Sequence, residues 1–294
     1  MIDWRTFYLM VRKQYSMCSK IYLRKYNYFT LLFIMQIAFS NISFCQQQSY
    51  KPFNIDFNRE AALFGAGAVA AVTAYAILEN LKPMSVEDIN LLSPSNINEF
   101  DRNAIGPYTE DHLGDALLYT SYLVPLSVVF FDATRKDIWE VALMYSEVLL
   151  IQSSINGIVK GTVQRVRPFV YDEQSPINVK QTKDARVSFF SGHTSMTAAL
   201  SFFTARVASE YVSNNTIRIL IWSSAALLPA ITAVSRVNTH WHFPTDVMTG
   251  YVIGALIGYF IPELHTTTTS MSGNLSIYPS VNLNKPSLNF QLQF

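Results

Sequence analysis

The sequence has 294 residues, half of them hydrophobic and only 15% charged, a balance that excludes a disordered chain, a coiled coil and a solvated linker protein. The formal net charge of +1 is unevenly spread: Arg5, Arg12, Lys13, Lys20, Arg24 and Lys25 face one acid, Asp3, before residue 28, which leaves −4 for the remainder. Such a body lacks the clustered cations from which nucleic-acid binding draws its affinity, and two cysteines, Cys18 and Cys45, cannot build a disulfide scaffold.

In chain order, the six cations are followed by an apolar run over 26–38 and then small and polar residues, Ser40 to Gln46. A basic start, a short apolar stretch and small residues before a polar one describe an export signal, with an uncleaved anchor as the alternative. Uncharged runs follow at 61–78, 116–131, 219–235 and 247–262, with a fifth at 187–205 that contains His193. The stretch 138–159 is apolar but interrupted by Glu140 and Glu147. A helix spanning a bilayer needs about 17–25 residues, so each run fits either a span or a buried helix, and periodicity does not separate the two. Two stripes of small residues, Gly250, Gly254 and Gly258, and Ala62, Ala66, Ala70 and Ala74, tilt the reading toward a membrane, where small residues let helices approach closely.

The expected fold is all-α, a membrane-embedded bundle of about six apolar helices with an N-terminal signal segment and a short β-like C-terminal tail. The segment 82–115 is acidic, and 161–186 reads as a long loop. The tail ends with Leu288, Phe290, Leu292 and Phe294 alternating with polar residues, a strand pattern that a hairpin near Asn284, Lys285 and Pro286 would accommodate. The expected organisation is a signal or anchor at 1–45, a linker at 46–59, a helical domain at 60–263 and a polar tail at 264–294.

Three clusters carry chemistry. In the first, Lys160 and Arg167 stand seven residues apart before Pro168. On a continuous helix both project from one side, and proline disfavours helix at Arg167. An arginine fork and a lysine charge suit a phosphoryl group, although a basic helix end is an equally ordinary place for cations. The second is Ser191-Gly192-His193 opening an apolar helix, where free backbone N–H groups make a ready anion site; alone it is an ordinary N-cap. The third holds Ser235, Arg236, His240, His242 and Asp246. His242 and Asp246 are i and i+4, so the carboxylate can fix the imidazole tautomer and free the other nitrogen to attack. A zinc reading of His240 and His242 lacks the further ligands such a site needs.

Lys160-x6-Arg167-Pro168, then Ser191-Gly192-His193, then Ser235-Arg236-x5-His242-x3-Asp246 resembles the type 2 phosphatidic acid phosphatase (PAP2) superfamily, which includes class A acid phosphatases and vanadium haloperoxidases. Phe190 stands where that family usually has proline. The resemblance implies a metal-independent phosphatase without cofactor. His242 would attack phosphorus, Asp246 would orient it, and His193 would serve as general acid and then base. Lys160, Arg167, Arg236, Ser191 and Gly192 would bind the phosphate. The implied substrate is a lipid phosphate, with membrane lipids as surroundings and no nucleic acid. Two alternatives stay open: a soluble periplasmic phosphatase acting on small monoesters, and a vanadium-dependent haloperoxidase. The family implies a bacterial inner membrane with a periplasm-facing site. Three crossings before Lys160, however, place the site opposite residue 60, and a cleaved export signal would leave residue 60 outside. The loop 169–187 is either a headgroup contact or a solvated connector.

Overall fold

The computed structural model describes residues 51–130, 132–267, 275–282 and 285–292; the signal segment at 1–45 and Phe294 lie outside them. Six helices of twelve residues or more form the described bundle: α1 (Phe57–Glu79), α2 (His112–Leu123), α3 (Ile138–Val163), α4 (Gly192–Tyr211), α5 (Asn215–Asn238) and α6 (Pro244–His265). Each expected apolar run except 116–131 lies largely within one helix. That run divides, α-helix to Leu123 and then 3-10 helix over Val124–Phe130. Pro125 explains the change, since it lacks the donor N–H that would continue the α-helical ladder.

The apolar helices are held together by contacts between small residues. Along the α4–α6 contact, a Cβ added at Gly250, Gly254 or Gly258 would lie 2.0–2.7 Å from the carbonyl oxygen of Ser191, Ser195 or Ala199, respectively. The expected glycine stripe is therefore the contact itself, and its matching steps make α4 and α6 parallel. The alanine stripe behaves differently: Ala62 and Ala66 are exposed and only Ala74 is buried. The face of α1 that meets α3 runs instead through Glu60, Gly67 and Ala74, with Gly67 against Leu150, Ala74 against Gly157 and Ile77 against Gly161. Every fourth residue drifts about 40° around a helix, whereas a seven-residue step keeps facing a parallel neighbour.

These pairings fix the directions. Helices α1, α3 and α5 run toward one end of the bundle, and α2, α4 and α6 run away from it. The loops 80–111, 164–191 and 239–243 therefore gather at one end, where the three sequence clusters lie. Asp56, the N-cap of α1, and His265 lie at the other end, so residue 60 and the motifs are opposite, as the crossing count predicts. There Phe53 forms an antiparallel bridge with Thr266. The core between the ends is lined by Val141, Met144, Val148, Leu200, Phe203, Val207 and Ile261.

Among the described residues, four helical stretches, Phe57–Glu79, Ile138–Tyr171, Asn215–Asn238 and Pro244–His265, are long and apolar enough to cross a membrane. Their outer faces are bare: only 11% of the apolar window of α1 and 17% of that of α5 is buried. Val69, Val72, Leu227, Val234, Val252 and Leu256 are among the exposed side chains. A continuous apolar surface of that kind is unusual on a monomer in water. In the tail, β1 (Leu275–Asn282) pairs antiparallel with β2 (Lys285–Leu292), Asn282 opposite Lys285.

Candidate active site

The site is assembled from loop ends and helix tips. Helix α3 ends at Val163 because Gln164 adopts the left-handed conformation, φ 47°. Arg167 is extended, φ −72° and ψ 153°, as the following proline favours. The expected shared helix face for Lys160 and Arg167 is thus not what brings them together. Arg167 reaches the site from the loop, anchored by its N–H on the Ala185 carbonyl at 2.8 Å.

Arg167 is buried and makes four hydrogen bonds. Its Nε donates to the Asp184 carbonyl (2.7 Å), Nη2 to Asp184 Oδ1 (2.8 Å), and Nη1 to the Trp241 carbonyl (3.0 Å) and His242 Nε2 (3.1 Å). Because a guanidinium only donates, Nε2 of His242 is the acceptor and carries the lone pair. The ring proton then belongs to Nδ1, which faces Ser188 Oγ at 3.5 Å and Asp246 Oδ2 at 3.7 Å.

The relation of His242 to Asp246 differs from a helix-face pair, because α6 starts after His242, at Pro244. Asp246 sits in the first turn, and its Oδ2 accepts from the Phe243 N–H (2.9 Å) and from Ser188 Oγ (2.5 Å). Its Oδ1 accepts from Arg165 Nη1 (2.5 Å). At 3.7 Å the carboxylate is beyond direct hydrogen-bond reach of the ring, and Ser188 touches both. Arg165 in turn bridges Asp246 to Asp101, with Nη2 2.8 Å from Asp101 Oδ2, and its guanidinium lies 4.2 Å from the Phe243 ring centroid. Asp101 also accepts from the Thr245 N–H and hydroxyl. Burial favours the protonated acid, but hydrogen bonds from Thr245, Arg165 and Asn98 outweigh it and hold the Asp101 carboxyl below its ordinary range.

On the other side, Arg236 Nη1 donates to Asp111 Oδ2 at 3.2 Å and lies 3.7 Å from Asp115 Oδ1. Its Nε is buried with no partner among the described residues. Trp241 lies between the two arginines, its ring centroid 4.9 Å from the Arg167 guanidinium carbon and 4.7 Å from that of Arg236, so cation–π attraction sets their spacing. His240 is a strut: its ring stands against Gly106, and its Nδ1 lies 2.9 Å from the Ala104 carbonyl.

His193 follows Ser191 and Gly192 at the start of α4, with Nε2 2.9 Å from Asp115 Oδ1. Ser191 caps the helix, accepting from the Thr194 N–H at 3.4 Å. Gly192 packs against Asn156, whose Nδ2 donates to the Phe190 carbonyl at 3.0 Å. Burial, and then Arg236, depress His193 to about 4, against the opposing pull of Asp115. Burial, followed by Arg167, Arg236, Lys160 and His193, holds His242 well below the ordinary histidine range. Every cation expected from the sequence therefore acts on the His242 ring. Lys160 and Gly192 also line a cavity of about 290 Å³ with Gln152, Ser153 and Asn156, whose apolar walls include Leu78, Leu118, Tyr122 and Met196.

The family model described as the PAP2 superfamily matches residues 141–270, the stretch that carries all eight expected site residues. The site-bearing segment is thus similar to the PAP2 superfamily. Among PAP2 relatives, the chain is similar to a lipid A 4'-phosphatase of Porphyromonas gingivalis, 24% identical over 153 residues that are 50% of this chain and 61% of the relative. It is also similar to a PA-phosphatase related-family protein of Dictyostelium discoideum, 28% identical over 132 residues, 42% of this chain and 48% of that one. The chain thus spans about half to three fifths of the length of these curated relatives. A solved structure, the transmembrane PAP2 type phosphatidylglycerolphosphate phosphatase from Bacillus subtilis, matches at 20% identity with a TM-score of 0.41, covering 71% of this chain and 96% of that one.

Asp101, Asp111, Asp115, Arg165, Ser188, Asp184 and Trp241 are the parts of this candidate site that the sequence did not single out as functional. The acidic segment 82–115 sends three of its carboxylates into the site. The loop 169–187 is tied down as well: Lys183 Nζ donates to the Glu79 carbonyl (2.8 Å) and Arg186 Nη1 to that of Lys82 (3.3 Å). It packs through Phe169 and Val170, which favours the connector reading over a free headgroup contact.

Proposed function

We propose that this chain is a membrane-embedded lipid-phosphate phosphatase that works through a phosphohistidine on His242. The observation that carries the reading is the His242 ring: Nε2 presents a lone pair beside Arg167, while Lys160, Arg236 and His193 act on the same imidazole. Cations this close repel a proton and attract a phosphoryl group, so the nitrogen stays unprotonated where an anion arrives.

In the proposed reaction Nε2 forms a bond to phosphorus as the bond to the leaving oxygen breaks, and His193 gives that oxygen its proton. Water then attacks phosphorus, His193 takes the water proton, and inorganic phosphate leaves Nε2. Arg167, Lys160, Arg236, Ser191 and the Gly192 N–H hold the equatorial oxygens as charge shifts. The unpartnered Arg236 Nε is suited to one of them. The incoming phosphate also raises His193 from its depressed value, because a nearby negative charge favours the imidazolium. Asp246 steadies the Nδ1 side of the ring through Ser188, with Arg165 and Asp101 behind it.

A lipid substrate is supported by the cavity, whose polar wall ends at Lys160 and Gly192 and whose other walls are apolar. The bare outer faces of α1 and α5 and the names of both curated relatives support it too. In the proposed topology the site faces the periplasm, and the end of the bundle bearing Asp56 and His265 faces the cytoplasm. That topology requires an N-terminal segment retained on the cytoplasmic side rather than cleaved after export.

The test is phosphate release from phosphatidate and from a water-soluble monoester, in detergent with EDTA, with His242→Asn as control. Lipid-selective turnover that the substitution abolishes supports the reading. Unchanged turnover in His242→Asn overturns the nucleophile, and turnover of the soluble ester alone overturns the lipid assignment.

A further inference from the structure

The bundle carries a second cluster of ionisable side chains, at the end away from His242 and unused by the chemistry above. Glu60 of α1, Glu147 of α3 and His265 of α6 are all buried, and one donor atom from each lies within 4.8 Å of the other two. His265 Nε2 is 3.0 Å from Glu60 Oε2 and 3.3 Å from Glu147 Oε2. Thirteen residues separate Glu147 from Lys160 on α3, which places the cluster about 20 Å from the phosphate site.

Hydrogen bonding accounts for only part of this arrangement, since His265 Nε2 is within hydrogen-bond reach of Glu60 Oε2 at 3.0 Å while Glu147 is left without a donor group of its own. His265 Nδ1 lies 2.8 Å from the Ile261 carbonyl, which can only accept, so Nδ1 carries a proton, and in the neutral ring Nε2 turns its lone pair toward two carboxylates. Neither oxygen of Glu147 has a hydrogen-bond donor among the described residues, although the side chain is completely buried. Arg59 engages only Glu60 Oε1, through Nε at 3.0 Å and Nη2 at 2.6 Å, and spends its remaining donors on Asn54 and the Leu264 carbonyl. Lone pairs from three helices thus converge on one point, and a buried carboxylate without a donor or cation is costly.

We propose that Glu60, Glu147 and His265 form a structural zinc-type site that ties α1, α3 and α6 together at the end of the bundle opposite His242. Tetrahedral zinc with bonds of about 2.0–2.1 Å has ligand-to-ligand edges of about 3.3 Å, against the 3.0 and 3.3 Å that His265 Nε2 keeps from the two carboxylates. A water molecule would complete the fourth position. The Ile261 carbonyl on Nδ1 is the outer-shell partner that fixes a metal-binding imidazole. A buried set containing imidazole suits zinc better than magnesium or calcium, which prefer oxygen ligands and, for magnesium, retained water.

The experiment uses the full chain in detergent. Metal is stripped with EDTA, Zn²⁺ or Co²⁺ alone is returned, and bound metal per chain is measured with the melting temperature. The expected result is one Zn²⁺ per chain, a visible Co²⁺ spectrum of tetrahedral type and a melting temperature several degrees higher with metal. His242→Asn should bind the same amount, whereas Glu147→Gln and His265→Gln should lose it. Wild-type protein that takes up no stoichiometric metal overturns the proposal, whether or not the variants fold. Uptake that persists in both Glu147→Gln and His265→Gln overturns it too. A Glu147→Gln protein that melts higher than wild type while wild type binds no metal would identify a shared proton instead, and equally overturns it.

Discussion

His242 and His265 are both buried, both keep Nδ1 toward oxygen and both turn Nε2 toward a charged group, yet they lie at opposite ends of one bundle in opposite fields. At His242 the neighbour is the Arg167 guanidinium at 3.1 Å; at His265 it is a pair of carboxylates at 3.0 and 3.3 Å. Burial and residue type are the same in the two places, so neither decides the chemistry. The sign of the charge that the fold aims at the ring does: in the proposed reaction cations keep the first nitrogen bare for phosphorus, and in the proposed metal site carboxylates prepare the second for a metal ion.

The largest expected effect breaks the first member of the pair. His242→Asn should reduce phosphate release by at least about 10⁴-fold, as loss of a nucleophile does, while leaving zinc uptake at the far end intact. Next, Arg167→Lys keeps the charge but loses the fork that spans Asp184, Trp241 and His242; kcat should fall by about 10²-fold, with a smaller change in KM. Asp115→Asn removes the carboxylate that opposes the depression of His193. The His193 pKa should fall further, so the basic limb of the kcat profile should move to lower pH, with kcat near neutrality down roughly tenfold.

The smallest effect concerns stability. Asp101→Asn should cost roughly 1–3 kcal/mol at neutral pH, read from unfolding in detergent. The folded carboxyl is held below its ordinary value of 3.8. Its contribution is therefore present above pH 3.8 and is lost as pH falls through the folded pKa. The gap between wild type and Asp101→Asn should close on the acid side; a gap that stays constant would contradict the Arg165–Asp101 account.

The residues that act on His242 were readable in the sequence as residue types at intervals, because Lys160, Arg167, Ser191, His193, Arg236 and His242 lie within one compact stretch. What holds them was not. Arg165 meets Asp246 across 81 positions, and Asp111 meets Ser235 across 124; no local pattern marks either pair. Local reasoning also misplaced two geometries, since a left-handed Gln164 ends the helix before Arg167 and Pro244 starts the next helix after His242. The helices themselves were legible because a long uncharged run has few other solutions. The face that each turns inward was legible for the Gly250, Gly254 and Gly258 row but not for α1, where a seven-residue step overrides the more obvious alanine row.

The bridge between Phe53 and Thr266 closes the bundle into a ring. Its two strands also exchange Asn54 N–H to the His265 carbonyl at 2.9 Å and Thr267 N–H to the Pro52 carbonyl at 2.8 Å. The order in which the helices are read along the chain is then almost arbitrary to the folded object. A gene that joins 267 to 52 through a short linker and opens between α4 and α5, at the exposed residues 213–214, would encode the same bundle with a new beginning. Its termini would again emerge at the end away from the phosphate chemistry.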